Sequence, residues 1–339
     1  MQGCLTGGII NPVELAEVRV KELLRRFSKR ASSPPRDDAA ANAMAGSSGL
    51  MEIPAPLLIT RIRSQSEFQK HRAQTNAELA ARQEADRELT QTFPSFTTSG
   101  FCFVCQKRAQ FLSSWELAFD VGGHLEMNWR EHMQCPRCRL NNRMRASIHL
   151  LMDVIAPTSE SRIYATEQSS PLYVYLRKRF PFLQGSEFVQ DAALMGENKS
   201  NKLRHEDLTQ LSFPTHSFDI IVSFDVLEHI PDYRSAFAEC SRTLKPTGKM
   251  LFSVPFDANS GCNQIRAQLR KDGTIEYLLP PEYHDDPRNP EGCLCFQHFG
   301  WEMLEEMKQA GFSSVWALSY YSREYGYLGD NQIQFLAEK

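Results

Sequence analysis

The chain has 339 residues, 42% of them hydrophobic, and a formal net charge of −3. That length accommodates one large domain with appendages, or two domains. The slight acidic balance speaks against a general nucleic-acid binder, which needs a clustered basic excess, and no apolar run reaches the length of a bilayer.

In chain order, residues 13–30 read as a basic amphipathic helix, with Val13, Ala16, Val20, Leu24 and Phe27 at helical spacing. Glu14, Glu17 and Arg19 interrupt any signal-peptide core there, so the expected location is cytoplasmic. In that compartment the nine cysteines read as metal ligands or free thiols rather than disulfides. Residues 31–49 are rich in Ala, Ser, Pro and Gly and read as a flexible linker. Residues 66–90 are charged and helix-prone with few large apolar side chains, a helix that leans on another domain or protrudes. Residues 1–99 are thus expected to form a helical and flexible N-terminal extension.

Residues 100–145 read as a separate, zinc-ribbon-like module. Cys102-Phe103-Val104-Cys105 is followed, after twenty-nine residues, by Cys135-Pro136-Arg137-Cys138. Two thiolates two residues apart can grip one ion from a tight turn, and two such turns complete a tetrahedron. Cys102, Cys105, Cys135 and Cys138 are therefore the predicted ligands of a structural zinc, against a redox dithiol or an unmetallated cluster. Arg137, Arg139, Arg143 and Arg145 crowd the second knuckle. They read as phosphate contacts, or as a helix face that salt-bridges the next domain.

A helix is expected over residues 142–155, ended by Pro157. Beyond it, strand candidates at 161–166, 182–189, 203–208, 218–224 and 249–254 alternate with helices at 170–180 and 231–244. Lys245-Pro246-Thr247-Gly248 reads as the turn after the latter. A helix at 300–310 and strands at 315–320 and 333–337 close the pattern, which predicts a doubly wound α/β sheet over residues 146–339.

The segment FDIIVSFDVLEHIPD, with AFAECSRTLKPTGKMLFSVP after it, resembles the central block of class I S-adenosylmethionine-dependent methyltransferases of type 11. The strong part of the likeness covers about forty residues. The resemblance implies a Rossmann-like sheet with an antiparallel last strand, and S-adenosylmethionine as cofactor. It also places Ser223 and Phe224 beside that cofactor, and Asp207 and Leu208 at its adenine. Glu187, at a strand end, is placed to accept from ribose hydroxyls. The family's glycine-rich first loop is replaced here by Thr166-Glu167-Gln168-Ser169-Ser170. Either Thr166, Ser169 and backbone groups bind in its place, with Glu167 on the methionine amino group, or cofactor affinity is reduced.

Residues 257–298 read as an insertion that caps the acceptor pocket. His284 and His298 in it are candidate general bases, and His229 is a pocket residue or a cap. Cys293, Cys295 and His298 are too tightly spaced, without a partner motif, to read as a second metal site, and the cysteines are expected to be buried thiols. The sequence thus predicts methyl transfer to a small-molecule or carrier-linked acceptor. The alternatives are an RNA methyltransferase that reads its substrate with the zinc module, and a non-catalytic adaptor of the same fold.

Overall fold

The computed structural model describes residues 53–90, 94–188, 203–286, 289–330 and 332–339. The helix read at 13–30 and the linker at 31–49 lie outside them.

Strand β1 (Ile59–Ile62) leads into helix α1 (Gln65–Leu89). Ser64 caps the helix, accepting from the Glu67 amide at 3.2 Å. One end is anchored by buried Phe68, whose ring centroid lies 5.6 Å from that of Trp301. At the other end buried Asp86 accepts from the Tyr321 hydroxyl at 2.8 Å and the Gly329 amide at 2.9 Å. The helix therefore leans on the body of the protein.

Strands β2 (Ser95–Cys102) and β3 (Lys107–Ser114) pair antiparallel, followed by a small exposed hairpin of β4 (Phe119–Val121) and β5 (His124–Glu126). Phe96, Phe111, Trp129 and Met133 gather around Cys102 and Cys135 as a core of their own. Helix α2 (Asn142–Leu150) follows, with Asn141 accepting from the Met144 amide at 2.9 Å. It widens into a π turn at Leu151–Ile155 and ends at left-handed Ala156 (φ 55°), one residue before Pro157. A residue before proline is disfavoured in the right-handed helical region, which accounts for the early stop.

Two groups on α2, Arg145 and His149, are buried and reach polar partners on distant segments. Arg145, with 0% exposure, donates to the carbonyls of Tyr325 (2.6 Å), Gly326 (3.0 Å) and Met133 (3.1 Å), and its guanidinium lies 3.9 Å from the Phe111 ring centroid. His149 stacks on Phe103 at 3.6 Å and bonds the Tyr327 hydroxyl at 3.1 Å. Burial pushes its imidazole down to about 4, against the opposing pull of Asp153. The unfolded chain therefore binds a proton there that the folded chain refuses. Stability from this residue is intact above pH 6.5 and is lost as pH falls towards 4, by on the order of 2–3 kcal/mol. Urea titrations at pH 7.5 and 5 in parent and His149→Gln protein check this, with the variant expected to show the flatter pH dependence.

The remaining elements build the main sheet. They are β6 (Ile163–Ala165), α3 (Pro171–Arg179), β7 (Leu183–Gly185), β8 (Phe218–Phe224), α4 (Tyr233–Thr243) and β9 (Leu244–Ser253). An insertion of short strands follows: β10 (Gln264–Ile265), β11 (Ala267–Leu269), β12 (Ile275–Tyr277), β13 (Tyr283–Asp286), β14 (Asn289–Leu294) and β15 (Gln297–His298). Helix α5 (Glu302–Gln309) and strands β16 (Ser314–Tyr320) and β17 (Ile333–Glu338) complete the chain.

The sheet order is β1-β16-β17-β9-β8-β6-β7. Strands β7, β6, β8 and β9 are parallel, and β17 runs antiparallel to both β9 and β16. This is the expected antiparallel last strand. Successive side chains of β8 feed opposite cores: Ile221 packs with Phe237 and Met307, whereas Ile220, Val222 and Phe224 pack with Leu150 and Leu176.

Two local readings differ from the structure. The strand read at 203–208 is a single parallel bridge between Glu187 and His205, because Asp207 turns the chain by accepting from Thr209 N (2.8 Å) and Oγ1 (2.7 Å). The turn read at Lys245–Gly248 is absorbed into β9 as an irregularity, with Phe218 opposite Leu244 and Ile220 opposite Lys249. Thr247 takes the left-handed conformation (φ 66°) that makes this possible. β1, an edge strand paired with β16, lies within residues that the sequence reads as extension.

Candidate active site

The carboxyl ends of β6, β7 and β8 present their loops side by side. After β6, Thr166 Oγ1 donates to Ser223 Oγ at 3.0 Å, so these two buried hydroxyls tie β6 to β8. Gln168 crosses to the next strand: its amide donates to Glu187 Oε1 at 2.7 Å, and its Oε1 accepts from the Arg204 amide at 2.7 Å. Ser170 caps α3, accepting from the Tyr173 amide at 3.0 Å, with Pro171 in the first turn. The glycine that admits this bulky loop is on β7. A Cβ on Gly185 meets Tyr173 Cε2 at 2.4 Å, Gln168 Cγ at 2.6 Å and Glu167 O at 2.8 Å. Close approach is thus permitted by the neighbouring strand rather than by the loop itself.

Glu187 is half-buried at the tip of β7, and Phe188 beside it is 64% exposed. The Phe188 ring lies 5.5 Å from that of His205. Asp207 is half-buried and Ser169 exposed, whereas Leu208 and Phe224 are buried and belong to the apolar cores.

The end of β8 is held by charge. Asp225 has a left-handed backbone (φ 53°) and accepts from Arg130 at 2.7 and 2.9 Å, Arg143 at 2.8 Å and Ser253 at 3.0 Å. Burial opposes its ionisation, but the two guanidiniums override it and hold the carboxyl well below the usual carboxylate range. Arg143 also binds Glu131 at 3.0 Å, so the same guanidinium joins the cysteine-bearing segment to the end of β8. Glu167 stands near this group, and burial pushes it up to about 7 against Ser170 and Arg143. Of the four arginines read near the second knuckle, Arg143 makes a salt bridge to Asp225 at the end of β8 and Arg145 is buried, while Arg137 and Arg139 are exposed.

The insertion docks on the turn after β8. Gln297 Nε2 donates to the carbonyls of Leu227 (2.8 Å) and Ile230 (3.1 Å), and the Phe296 amide donates to Glu228 O at 2.8 Å. This brings His284 and His298 together: each places Nε2 near Glu282 Oε1, at 3.0 and 2.9 Å. Buried Cys295 lies with its sulfur within 4.8 Å of the donor atoms of Glu282 and His298. The thiol of Cys295, then Glu228 and Glu282, favour the proton on His284 and push it up to about 11. His229 bonds the Leu294 carbonyl at 2.9 Å.

The four cysteines of the module converge. Their sulfurs lie within 4.8 Å of one another, with Cys102–Cys138 at 3.8 Å and Cys105–Cys135 at 3.9 Å. A tetrahedral ion about 2.3 Å from each thiolate sets sulfur separations of about 3.8 Å, so the donor set fits a four-thiolate metal site.

Sequence reasoning missed Arg130, Gln168, Phe188 and Glu282. Arg130 and Glu282 carry no local signal, because their partners come from distant segments. Phe188 had one: an apolar residue directly after a strand-end acid. Glu228 stood inside the Leu-Glu-His run, as an acid among apolar neighbours.

Residues 173–252 match the family described as a methyltransferase domain. That match runs from α3 to β9, the central part of the α/β sheet. Among known proteins, a probable S-adenosylmethionine-dependent methyltransferase of Mycolicibacterium smegmatis is 42% identical over 53 residues, covering 16% of this chain and 21% of that protein. A ubiquinone biosynthesis O-methyltransferase of Coxiella burnetii is 34% identical over 83 residues, covering 24% and 33%. The chain thus spans a third or less of the length of these relatives. Among solved structures, the chain aligns with the 1,6-didemethyltoxoflavin-N1-methyltransferase of Burkholderia thailandensis at TM-score 0.37 and 16% identity, covering 58% of this chain and 77% of that one. A methyltransferase of Mesorhizobium loti aligns at TM-score 0.35 and 14% identity, covering 57% and 98%. No helix among the described residues is long and apolar enough to cross a membrane.

Proposed function

We propose that the protein transfers a methyl group from S-adenosylmethionine to a small organic acceptor. The observation that carries this reading is the pairing of the strand-end carboxylate Glu187 with exposed Phe188 at the tip of β7. A carboxylate there accepts from ribose hydroxyls, and an aromatic face beside it packs on a purine. Asp207 stands on the adenine side. Glu167 offers a carboxylate for the ammonium of an amino-acid moiety. When bound, the sulfonium supplies an already activated methyl group. The residues need only hold and align the two partners and exclude water. The insertion over residues 257–298 covers the acceptor side.

The four cysteines would hold zinc as a closed, structural site. On this reading the module braces the sheet edge through Arg143 and Asp225. A substrate-reading role for RNA has less support, since Arg143 and Arg145 are engaged internally. We further assign the boundaries as 100–145 for the module and 146–339 for the methyltransferase domain, with the preceding residues as an extension that lends β1 to the sheet.

Glu187→Ala is expected to weaken S-adenosylmethionine binding by about 1–3 kcal/mol, or roughly 5- to 150-fold in Kd. Isothermal titration checks it, and an unchanged Kd removes Glu187 from the site.

A further inference from the structure

We propose a second metal site, in which His284, Cys295, His298 and Glu282 hold one zinc ion within the insertion. The proposal does not depend on the methyl-transfer reading. Both imidazole Nε2 atoms converge on the same oxygen, Glu282 Oε1, at 3.0 and 2.9 Å. The donor atoms of Glu282, Cys295 and His298 lie within 4.8 Å of one another. Two imidazoles, one thiolate and one carboxylate form a borderline-soft set of four, which suits zinc in a tetrahedral arrangement. Arg266 faces the other carboxylate oxygen of Glu282 at 3.2 Å and leaves Oε1 towards the cluster.

A separate observation points to a cation. Glu228 is 0% exposed, and neither of its carboxylate oxygens has a hydrogen-bond partner. Its Oε1 faces His284 Nδ1 at 3.6 Å and His229 Nε2 at 3.7 Å. A buried carboxylate that makes no hydrogen bond carries a large desolvation cost. Metal-bound histidines commonly donate the second ring N–H to such a carboxylate, which fixes the tautomer. With Nε2 of His284 on the ion, Nδ1–H is directed at Glu228. Glu228 is then a positioning residue, and its burial is explained.

The side chains of His284, His298 and Glu282 are about one-third exposed, so one side of the site is open to solvent. Cys295 closes the other side. An ion here ties β13 and β15 to each other and, through His284 and Glu228, to the turn after β8. It staples the cap over the acceptor side to the edge of the methyltransferase domain. The tight spacing of Cys295 and His298 gave no metal signal in the sequence because Glu282 and His284 arrive from the opposite strand of the insertion.

The test is zinc content of the full-length protein by mass spectrometry, in the parent and in a Cys295→Ser, His298→Ala double variant. The variant is expected to carry one zinc fewer per chain, with an unchanged far-ultraviolet circular dichroism spectrum. Equal zinc content in the two proteins overturns the site and leaves a hydrogen-bonded polar cluster. If the double variant does not fold, the parent decides: two zinc ions per chain support the proposal, and one or none overturns it. Glu228→Gln is expected to weaken the more labile zinc by 10- to 100-fold in chelator competition. Unchanged affinity excludes its positioning role.

Discussion

Arg145→Ala is expected to lower the unfolding free energy by about 3–5 kcal/mol, the scale for breaking a buried charged network. That is a large share of the roughly 5–15 kcal/mol available to a folded protein. Arg145 joins three segments at once. Its guanidinium satisfies carbonyls of Met133 in the cysteine module and of Tyr325 and Gly326 in the link between β16 and β17. Truncation leaves three carbonyls without their donor and opens space against Phe111 and Tyr327. Lysine is expected to rescue little, because a single ammonium cannot reproduce a planar fork that also stacks on a ring. Urea denaturation of parent, Arg145→Ala and Arg145→Lys proteins measures this. A loss below 1 kcal/mol for alanine would show that the network relaxes around the gap.

On the proposed reading of the four cysteines as a zinc site, removing that metal is expected to have the largest effect on function. A small module with a limited core takes much of its folding free energy from the ion, on the order of 10 kcal/mol in isolated zinc modules. Here the module also carries Arg130 and leads directly into Arg143, the two guanidiniums that hold Asp225 at the end of β8. Cys102→Ser combined with Cys135→Ser is therefore expected to release zinc and abolish methyl transfer. It is also expected to expose the β2–β3 hairpin to protease. Zinc content, S-adenosylmethionine titration and limited proteolysis report the three effects separately. Full cofactor affinity in a zinc-free protein would mean that the module does not brace the site.

The likeness at residues 218–256 and the alternating pattern around it made the parallel sheet and its antiparallel last strand legible. The signals were local: an apolar run at Phe218–Phe224, a helical stripe of Tyr233, Phe237 and Cys240, and a second run at Met250–Val254. The cysteine pairs were legible for the same reason, since each knuckle is a short-range motif. The glycine-free loop was legible as a departure, but its remedy was not. Gly185 lies on another strand, and nothing near Gln168 in sequence announces it.

The α/β class, the four clustered thiols and the position of Glu187 past a strand end could be read from the chain alone, because periodicity and short motifs are encoded over a few neighbouring residues; the strand expected before Asp207 could not, since that segment makes a single bridge and turns. The remaining features emerged from long-range packing. It assigned Arg145 to a buried tie rather than a surface, sealed Asp225 beneath Arg130 and Arg143, and gathered Glu228, Glu282, His284, Cys295 and His298 into one group. Those outcomes depend on which distant side chains share a low-dielectric space, where an unpaired charge is costly and a partner is required. That pairing is set by packing and is not written in local spacing.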